Sequence, residues 1–309
     1  MENKKAFSTP ITFIFFNRPE CTKKVLSVIK EVRPEKLYLV SDGPRNEQEK
    51  KIVLEIRKDV LGEIDWKCDI HKNFSDENLG CRNRVSSGIS WVFETEEKSI
   101  ILEDDCVPDI SFFSFCDELL EKYKNDNRVM TISGNLNIPD YNPCYSYVFS
   151  RFLHVWGWAT WKRAWDLYDI EMRDYPRNKK IMKWLPNKLR MAKINEMDLV
   201  YYQELDTWDF QWQYCIWKND GLCIKPNVNT IENIGFDELA THTKTKNKLL
   251  DKLVYSEITF PLVHPASVEL DTGYEKELIR IYDDNSPPAI ESLLRHYYKM
   301  INRKIRVLL

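Results

Sequence analysis

Three acidic residues in a row, Glu103, Asp104 and Asp105, follow directly on the short apolar run 100–102. The run predicts a buried strand, so the acids lie where that strand leaves the core. Adjacent carboxylates repel one another, and this position is costly unless a cation offsets their charge. Mg²⁺ and Mn²⁺ prefer oxygen ligands and commonly take one or two protein carboxylates. The triplet therefore predicts a divalent-metal site, with a solvated acidic loop as the alternative.

The first 135 residues alternate apolar runs with amphipathic stretches, which predicts alternating strands and helices. Such alternation favours an α/β fold with a mostly parallel central sheet and helices on both faces. Pro19 fits the first turn of the first helix. The predicted strands are residues 11–16, 37–40, 66–71, 99–102 and 129–133, and the later helices cover 46–61, 81–93 and 112–123.

In such sheets, ligands bind beyond the carboxyl ends of the strands. Asp42 follows the second predicted strand, as the acidic triplet follows the fourth, and it is a candidate partner for a base or ribose. An ordinary turn is the alternative for Asp42. Arg82 and Arg84 lie where the 81–93 helix begins, and its free amides would suit a diphosphate. A capped helix with exposed arginines is the alternative.

The sequence pattern changes after about residue 140. Trp-rich loops and predicted helices at 179–192 and 209–218 replace the regular alternation of strands and helices. The ten tryptophans predict either a large aromatic core or sugar-stacking surfaces, and a core position is favoured for any single one. The segment 273–309 is predicted to be a helical extension.

Composition excludes several classes of protein. A net charge of -3 and a pI near 6.1 argue against a nucleic-acid binder. None of the eight cysteines has Cys-x-x-Cys spacing, so no zinc or thioredoxin motif is indicated. No signal-peptide core and no membrane span is recognisable, so we expect a cytoplasmic protein with reduced thiols.

The order of these motifs resembles GT-A glycosyltransferases, in particular N-acetylglucosaminyltransferase I and its bacterial surface-polysaccharide relatives. The resemblance covers about residues 10–245. It rests on Asn-Arg-Pro at 17–19, Ser-Asp-Gly-Pro at 41–44, Asn-Leu-Gly at 78–80 and Glu-Asp-Asp at 103–105. It implies a nucleotide-sugar donor, UDP-linked by preference, and Mn²⁺ or Mg²⁺ as cofactor. Asp105 would be the metal ligand, Asp104 would face the donor sugar or ribose, and Asp42 would contact the nucleotide base.

An inverting transfer also needs a general base that takes the proton of the attacking hydroxyl. Asp209, Asp206 and Glu204 are candidates, and a helix cap is the alternative role for Asp209. The family's Trp-Asp base segment resembles Trp208–Asp209, which favours Asp209 as base and Trp208 against the donor sugar. One extra residue before Trp212 departs from the family pattern and keeps Asp206 as an alternative.

The resemblance also implies that His242 reaches the metal or diphosphate. The change of sequence pattern near residue 140 predicts one domain over residues 1–272, with a nucleotide-sugar half at about 10–135 and an acceptor half at about 136–272. The predicted acceptor is a glycan or lipid-linked glycan, and the basic segment 296–309 is either a docked helix or a peripheral membrane contact.

Two other functions compete with this one. A nucleotidyltransferase would share the fold and the metal. It would be expected to carry a Gly-rich basic loop after the first strand, where this chain has Phe-Asn-Arg-Pro at 16–19. A carbohydrate-binding protein would keep the tryptophans without needing the acid triplet.

Overall fold

A computed structural model of the protein describes residues 7–236, 252–292 and 299, and one eight-stranded sheet organises them. The strands are β1 (Ile11–Phe15), β2 (Lys36–Ser41), β3 (Asp69–Phe74), β4 (Lys98–Glu103), β5 (Cys106–Pro108), β6 (Val129–Ser133), β7 (Tyr147–Ser150), β8 (Trp158–Trp161), β9 (Leu222–Pro226) and β10 (Ile231–Asn233). The helices are α1 (Pro19–Val32), α2 (Glu47–Gly62), α3 (Gly80–Val92), α4 (Ser111–Lys122), α5 (Lys162–Trp165), α6 (Tyr175–Asn178), the 3₁₀ turn Lys179–Met182, α7 (Asn187–Tyr201), α8 (Asp209–Lys218) and α9 (Thr272–Asn285).

The sheet is mostly parallel and runs in the order β3-β2-β1-β4-β8-β6-β9-β7. β1 to β4 pair in parallel, β8 lies antiparallel between β4 and β6, and β9 is parallel to β6. β7 closes the other edge antiparallel to β9. β5 and β10 form a separate antiparallel pair just beyond the end of β4. The predicted fold class, a mostly parallel central sheet flanked by helices, is confirmed.

Both faces of the sheet are buried, because alternate residues of its central strands enter different cores. Phe13 and Phe15 pack on the face that α1 and α4 cover. Ile14 points the other way, into the core shared with α3 and α8, where Trp158 and Trp212 are fully buried. The predicted core role of these two tryptophans therefore holds.

The second half has a core of its own beside the sheet, formed by α7, α8, α9 and the loops around them. Tyr274 and Leu278 of α9 are fully buried there, and Glu275 binds Arg151 at 2.9 Å. The predicted C-terminal extension thus begins with a helix that belongs to this core.

Two predicted elements differ from the structure. The third predicted strand covers residues 66–71, but β3 spans Asp69–Phe74. No residue of β3 is fully buried, so its sequence carries only a weak apolar pattern. The predicted helix 179–192 is instead a 3₁₀ turn followed by α7, because Pro186 interrupts it. No helix among the described residues is long and apolar enough to cross a membrane.

Candidate active site

The acid triplet lies at the carboxyl end of β4, as predicted. Glu103 ends the strand, and Asp104 and Asp105 form the turn into β5. The neighbouring strand β1 ends beside them, and the Phe16 amide donates to Asp104 Oδ2 at 3.0 Å. The fold therefore fixes the triplet through the main chain of the next strand.

Arg18, just after β1, is the cation that the triplet faces. Its guanidinium donates to Asp105 Oδ2 at 3.0 Å and also binds Asp104. The sequence indicates residues 17–19 only as the break before α1 and as a family motif, and this role of Arg18 is not visible in it. The missing signal was the adjacency of β1 and β4, which brings the residues after both strands together.

Burial and mutual repulsion dominate the electrostatics of the triplet. Burial raises the pKa of Glu103 to about 8, and the charges of Asp105, Asp104 and Asp209 add to the shift. Burial also raises the pKa of Asp104 to about 6, against the opposing effect of Arg18. Four acids thus lie near one arginine, and the site favours an additional positive charge.

A cleft of about 700 Å³ opens at this cluster. It is lined from the first half of the chain by Arg18, Cys81, Glu103 and Asp105. Residues of the second half form the rest of the lining, among them Asp209, which begins α8. The structure therefore brings the predicted base to the predicted metal site, although about a hundred residues separate them in the sequence.

Asp209 is oriented by its own loop, because the Thr207 hydroxyl donates to Asp209 Oδ1. Trp208 also lines the cleft, but it is only 2% exposed and stacks on Trp158 at 5.4 Å between ring centroids. Most of Trp208 therefore packs in the core, with one edge at the cleft.

Asp206, the alternative base, has a different set of contacts. Its carboxylate accepts hydrogen bonds from the Cys81 and Arg82 amides at the start of α3, both at 2.9 Å. Gly80 has φ +76°, and a Cβ there would lie 2.7 Å from Asp206 Oδ2. The helix N-terminus that was predicted to hold a diphosphate is thus occupied by an internal carboxylate.

Arg82 and Arg84 do not line the cleft. A guanidinium nitrogen of Arg82 donates to the Ile170 carbonyl at 2.9 Å and to Glu171 at 2.8 Å. Arg84 donates to the Asn73 carbonyl at 3.0 Å, and both side chains are buried. The structure therefore does not bring these two arginines to the acid cluster; Arg18 is the arginine found there.

Asp42 is also buried outside the lining of the cleft. Its carboxylate accepts from the amides of Gly43, Leu79 and Gly80 at 2.9 to 3.0 Å. Burial raises the pKa of Asp42, and these amides oppose the shift. Asp42 thus holds the loop before α3, and its predicted contact with a nucleotide stays a prediction.

Among the described residues, no group of three or more His, Cys, Asp or Glu side chains could hold a metal ion. The donor chemistry still fits a hard divalent cation, since one or two carboxylates and substrate oxygens suffice. Asp105 and Glu103 both line the cleft, and excess negative charge surrounds them. Gly235 leaves room beside them, because a Cβ there would lie 2.1 Å from Asp105 Oδ2.

Two predicted features lie outside the described residues: His242, and the segment 296–309 except Lys299. The Lys299 ammonium lies 3.9 Å from Glu204 in the loop before Asp206.

No family model matches the sequence, and no curated protein matches it. Among solved structures, UDP-glucose pyrophosphorylase complexed with UDP-glucose is 11% identical over 51% of this chain and 71% of its own, with a TM-score of 0.29. Apo UDP-glucose pyrophosphorylase is 9% identical over 72% and 91%, with a TM-score of 0.36. Apo mouse xyloside xylosyltransferase 1 is 14% identical over 67% and 81%, with a TM-score of 0.33. At these TM-scores the similarity assigns no function to this chain.

Proposed function

We propose that the protein is a glycosyltransferase that moves a sugar from a nucleotide-diphosphate donor to a hydroxyl acceptor. One observation carries the proposal: Glu103 and Asp105 from one half of the chain and Asp209 from the other line the same cleft. A carboxylate pair suited to a metal–diphosphate and a separate carboxylate suited to proton removal are the two acidic functions that such a transfer needs.

At the donor end, Asp105 and Glu103 would hold Mn²⁺ or Mg²⁺. The bound ion would act as a Lewis acid on the departing diphosphate. Arg18, whose guanidinium lies 3.0 Å from Asp105, would add a fixed positive charge for the diphosphate, because a planar guanidinium suits phosphate as well as carboxylate. Asp104, which is almost fully buried, holds Arg18 in place through their ion pair.

Asp209 would act as the general base. The acceptor oxygen attacks the anomeric carbon while Asp209 takes the hydroxyl proton, and the bond from that carbon to the diphosphate oxygen breaks. The electron pair leaves with the diphosphate. A single displacement of this kind inverts the anomeric configuration. Thr207 keeps the Asp209 carboxylate oriented before the substrate arrives.

The identity of the substrates rests on the family resemblance, whereas the location rests on the composition of the sequence. From the resemblance we propose a UDP-sugar donor, by preference a UDP-N-acetylhexosamine, a glycan or lipid-linked glycan acceptor, and a role in surface-polysaccharide synthesis. A cytoplasmic protein with its basic segment 296–309 on the membrane would reach a lipid-linked acceptor. Deletion of the residues after 295 should then weaken flotation with anionic liposomes, and unchanged flotation would refute the membrane contact.

The deciding experiment is calorimetry of the full chain with a panel of nucleotide-diphosphate sugars, with and without Mn²⁺. We expect one donor to bind more tightly with Mn²⁺, and Asp105→Asn to remove that enhancement. NMR of the transfer product should show the configuration opposite to the donor. A carbohydrate-binding protein would bind no nucleotide, and a nucleotidyltransferase would convert the donor with pyrophosphate instead of transferring its sugar.

A further inference from the structure

One segment of the second half of the chain concentrates positive charge. Residues 173–193 hold eight Lys or Arg and a single acid, Asp174, which gives the segment a net charge of +7. The whole chain carries -3, so all its other residues together carry -10. The transfer proposed above gives no role to this charge, and a surface of one sign attracts a partner of the opposite sign.

Three cations of this segment form an outward-facing row along α6 and the 3₁₀ turn. Arg177, Lys180 and Lys183 are exposed and follow one another at intervals of three residues. At this spacing the side chains of a 3₁₀ helix lie one above another. Met182 and Leu185, on another side of the same stretch, are buried in the second core and fix its orientation. We call Arg177, Lys180 and Lys183 the basic row.

The basic row has no acidic partner within the described part of the chain, because acids of the same region are bound by other cations. Asp198 lies 2.5 Å from the Lys179 ammonium, and Asp174 lies 2.6 Å from the Lys218 ammonium. The charge of the basic row is therefore available to a partner outside the chain.

Helix α7 adds two cations beside the row. Lys188 donates to the Asp284 carbonyl at 3.3 Å, and Arg190 donates to the carboxamide oxygen of Asn187. Both acceptors are neutral, so these hydrogen bonds leave the positive charges uncompensated. Together with the basic row they make five cations within fourteen residues, a number typical of segments that bind anionic lipid.

The basic row borders the cleft through Trp184, which follows Lys183 directly and is half-buried. The Arg151 guanidinium lies 3.6 Å from the centroid of the Trp184 ring. The same ring meets Phe152 edge to face at 5.6 Å, and Phe152 lines the cleft. An indole beside a group of cations is typical of side chains at the headgroup level of a bilayer.

From this arrangement we propose that the basic row is a docking site for an anionic lipid bilayer, with Trp184 at the level of the headgroups. A bilayer meets the row at close range, whereas charges elsewhere on the protein are screened beyond about 8 Å at physiological ionic strength. The excess negative charge of the other residues therefore does not prevent the contact. The delivery of a lipid-linked acceptor to the neighbouring cleft rests on the proposed function, but the binding to the bilayer does not.

Sedimentation of the full chain with phosphatidylcholine vesicles, with and without phosphatidylglycerol, tests this docking site. We expect binding only to the vesicles that contain phosphatidylglycerol. Arg177→Gln, Lys180→Gln and Lys183→Gln together should weaken it roughly a hundredfold, at about fivefold for each cation removed from an anionic surface. This triple variant retains residues 296–309, so its loss of binding reports on the basic row alone.

A second triple variant is the matched control. Lys23→Gln, Lys51→Gln and Lys58→Gln remove the same charge from exposed positions of α1 and α2. We expect the control to bind vesicles almost as the unmutated protein does, and both triple variants to keep its melting temperature. A control that loses as much binding as the row variant would show that only net charge matters and would overturn the docking site.

Two further outcomes would also overturn it: equal vesicle binding by the row variant and the unmutated protein, or displacement of the vesicles by inorganic phosphate at constant ionic strength. The second would assign the row to a single phosphate group. Mn²⁺-dependent nucleotide-sugar binding, measured on the same variants, should be unchanged. Vesicle binding without any nucleotide-sugar binding would overturn the proposed function and leave the docking site standing.

Discussion

Asp209 and Arg18 show what single residues contribute to the site. Asp209 could be singled out from the sequence because an acid between tryptophans is conspicuous and the family resemblance gave it a role. Arg18 could not, because its function depends on which strand lies next to β4, and hydrophobic periodicity does not specify strand order. The acid triplet could be predicted, because three adjacent acidic residues after an apolar run form a local sequence pattern that does not depend on strand order.

The base assignment predicts that Asp209→Asn lowers turnover by roughly 10²–10⁴-fold, because the amide cannot take the acceptor proton. Donor affinity, measured by calorimetry, should change little, since the diphosphate would be held by Arg18 and Asp105. Asp220→Asn, at an exposed position two residues after α8, is the control. Full activity of Asp209→Asn would show that another group accepts the proton.

The charge balance of the cluster predicts opposite effects of two neutralising changes. Arg18→Gln leaves buried acids without their counter-ion and should lower the melting temperature in metal-free buffer. Asp105→Asn removes a repelling charge and should leave it unchanged or raise it. Differential scanning calorimetry with EDTA measures both changes, with Arg177→Gln, at an exposed position of α6, as control. Equal destabilisation by the two changes would contradict the account of repulsion.

At the scale of elements, the loop 203–208 joins the two halves through Asp206 and the first turn of α3. Helix α3 and helix α8 were both predicted close to their actual bounds. The contact between Asp206 and the first turn of α3 could not be predicted, because a carboxylate that caps a helix 125 residues away leaves no local sequence pattern. Pro186 was readable as a helix breaker, yet the prediction ran helix 179–192 through it.

This connection predicts that Asp206→Asn speeds hydrogen exchange at the Cys81 and Arg82 amides, since an asparagine offers one acceptor oxygen where the carboxylate offers two. Gly80→Ala should do the same, because its Cβ would displace Asp206. Turnover should fall by less than in Asp209→Asn. Asn46→Ala, which uncaps α2 instead, is the control. Unaltered exchange in both variants would refute the link.

At the scale of the whole molecule, the burial of Lys225 makes the stability of the fold depend on pH. It is fully buried on β9, donates to Ser133 Oγ at 3.0 Å, and burial lowers its pKa to about 7. In the unfolded chain the lysine has its usual pKa near 10.5, so between about pH 7 and 10.5 the unfolded state binds more protons. The contribution of Lys225 to stability therefore rises with pH across this window and is least favourable below pH 7.

Lys225→Met should accordingly raise the melting temperature by a few degrees at pH 6, and this gain should shrink toward pH 10. Ser133 keeps its bond to the His154 carbonyl in the variant. Lys58→Met, at an exposed position of α2, should show no such trend. Melting curves between pH 6 and 10 check this, and a pH-independent difference would mean that Lys225 keeps one protonation state throughout.

The antiparallel strand β8 has a consequence for the making of the protein. β8 lies between β4 and β6 in the sheet. The edge of β4 that faces away from β1 therefore gains its strand partner when residues 158–161 are made. A ribosome adds about 5–20 residues per second, so roughly 3–12 s separate the synthesis of β4 from that of its partner. During this interval the nascent chain carries an open apolar edge, which makes it a substrate for chaperones and a point at which two unfinished chains can pair.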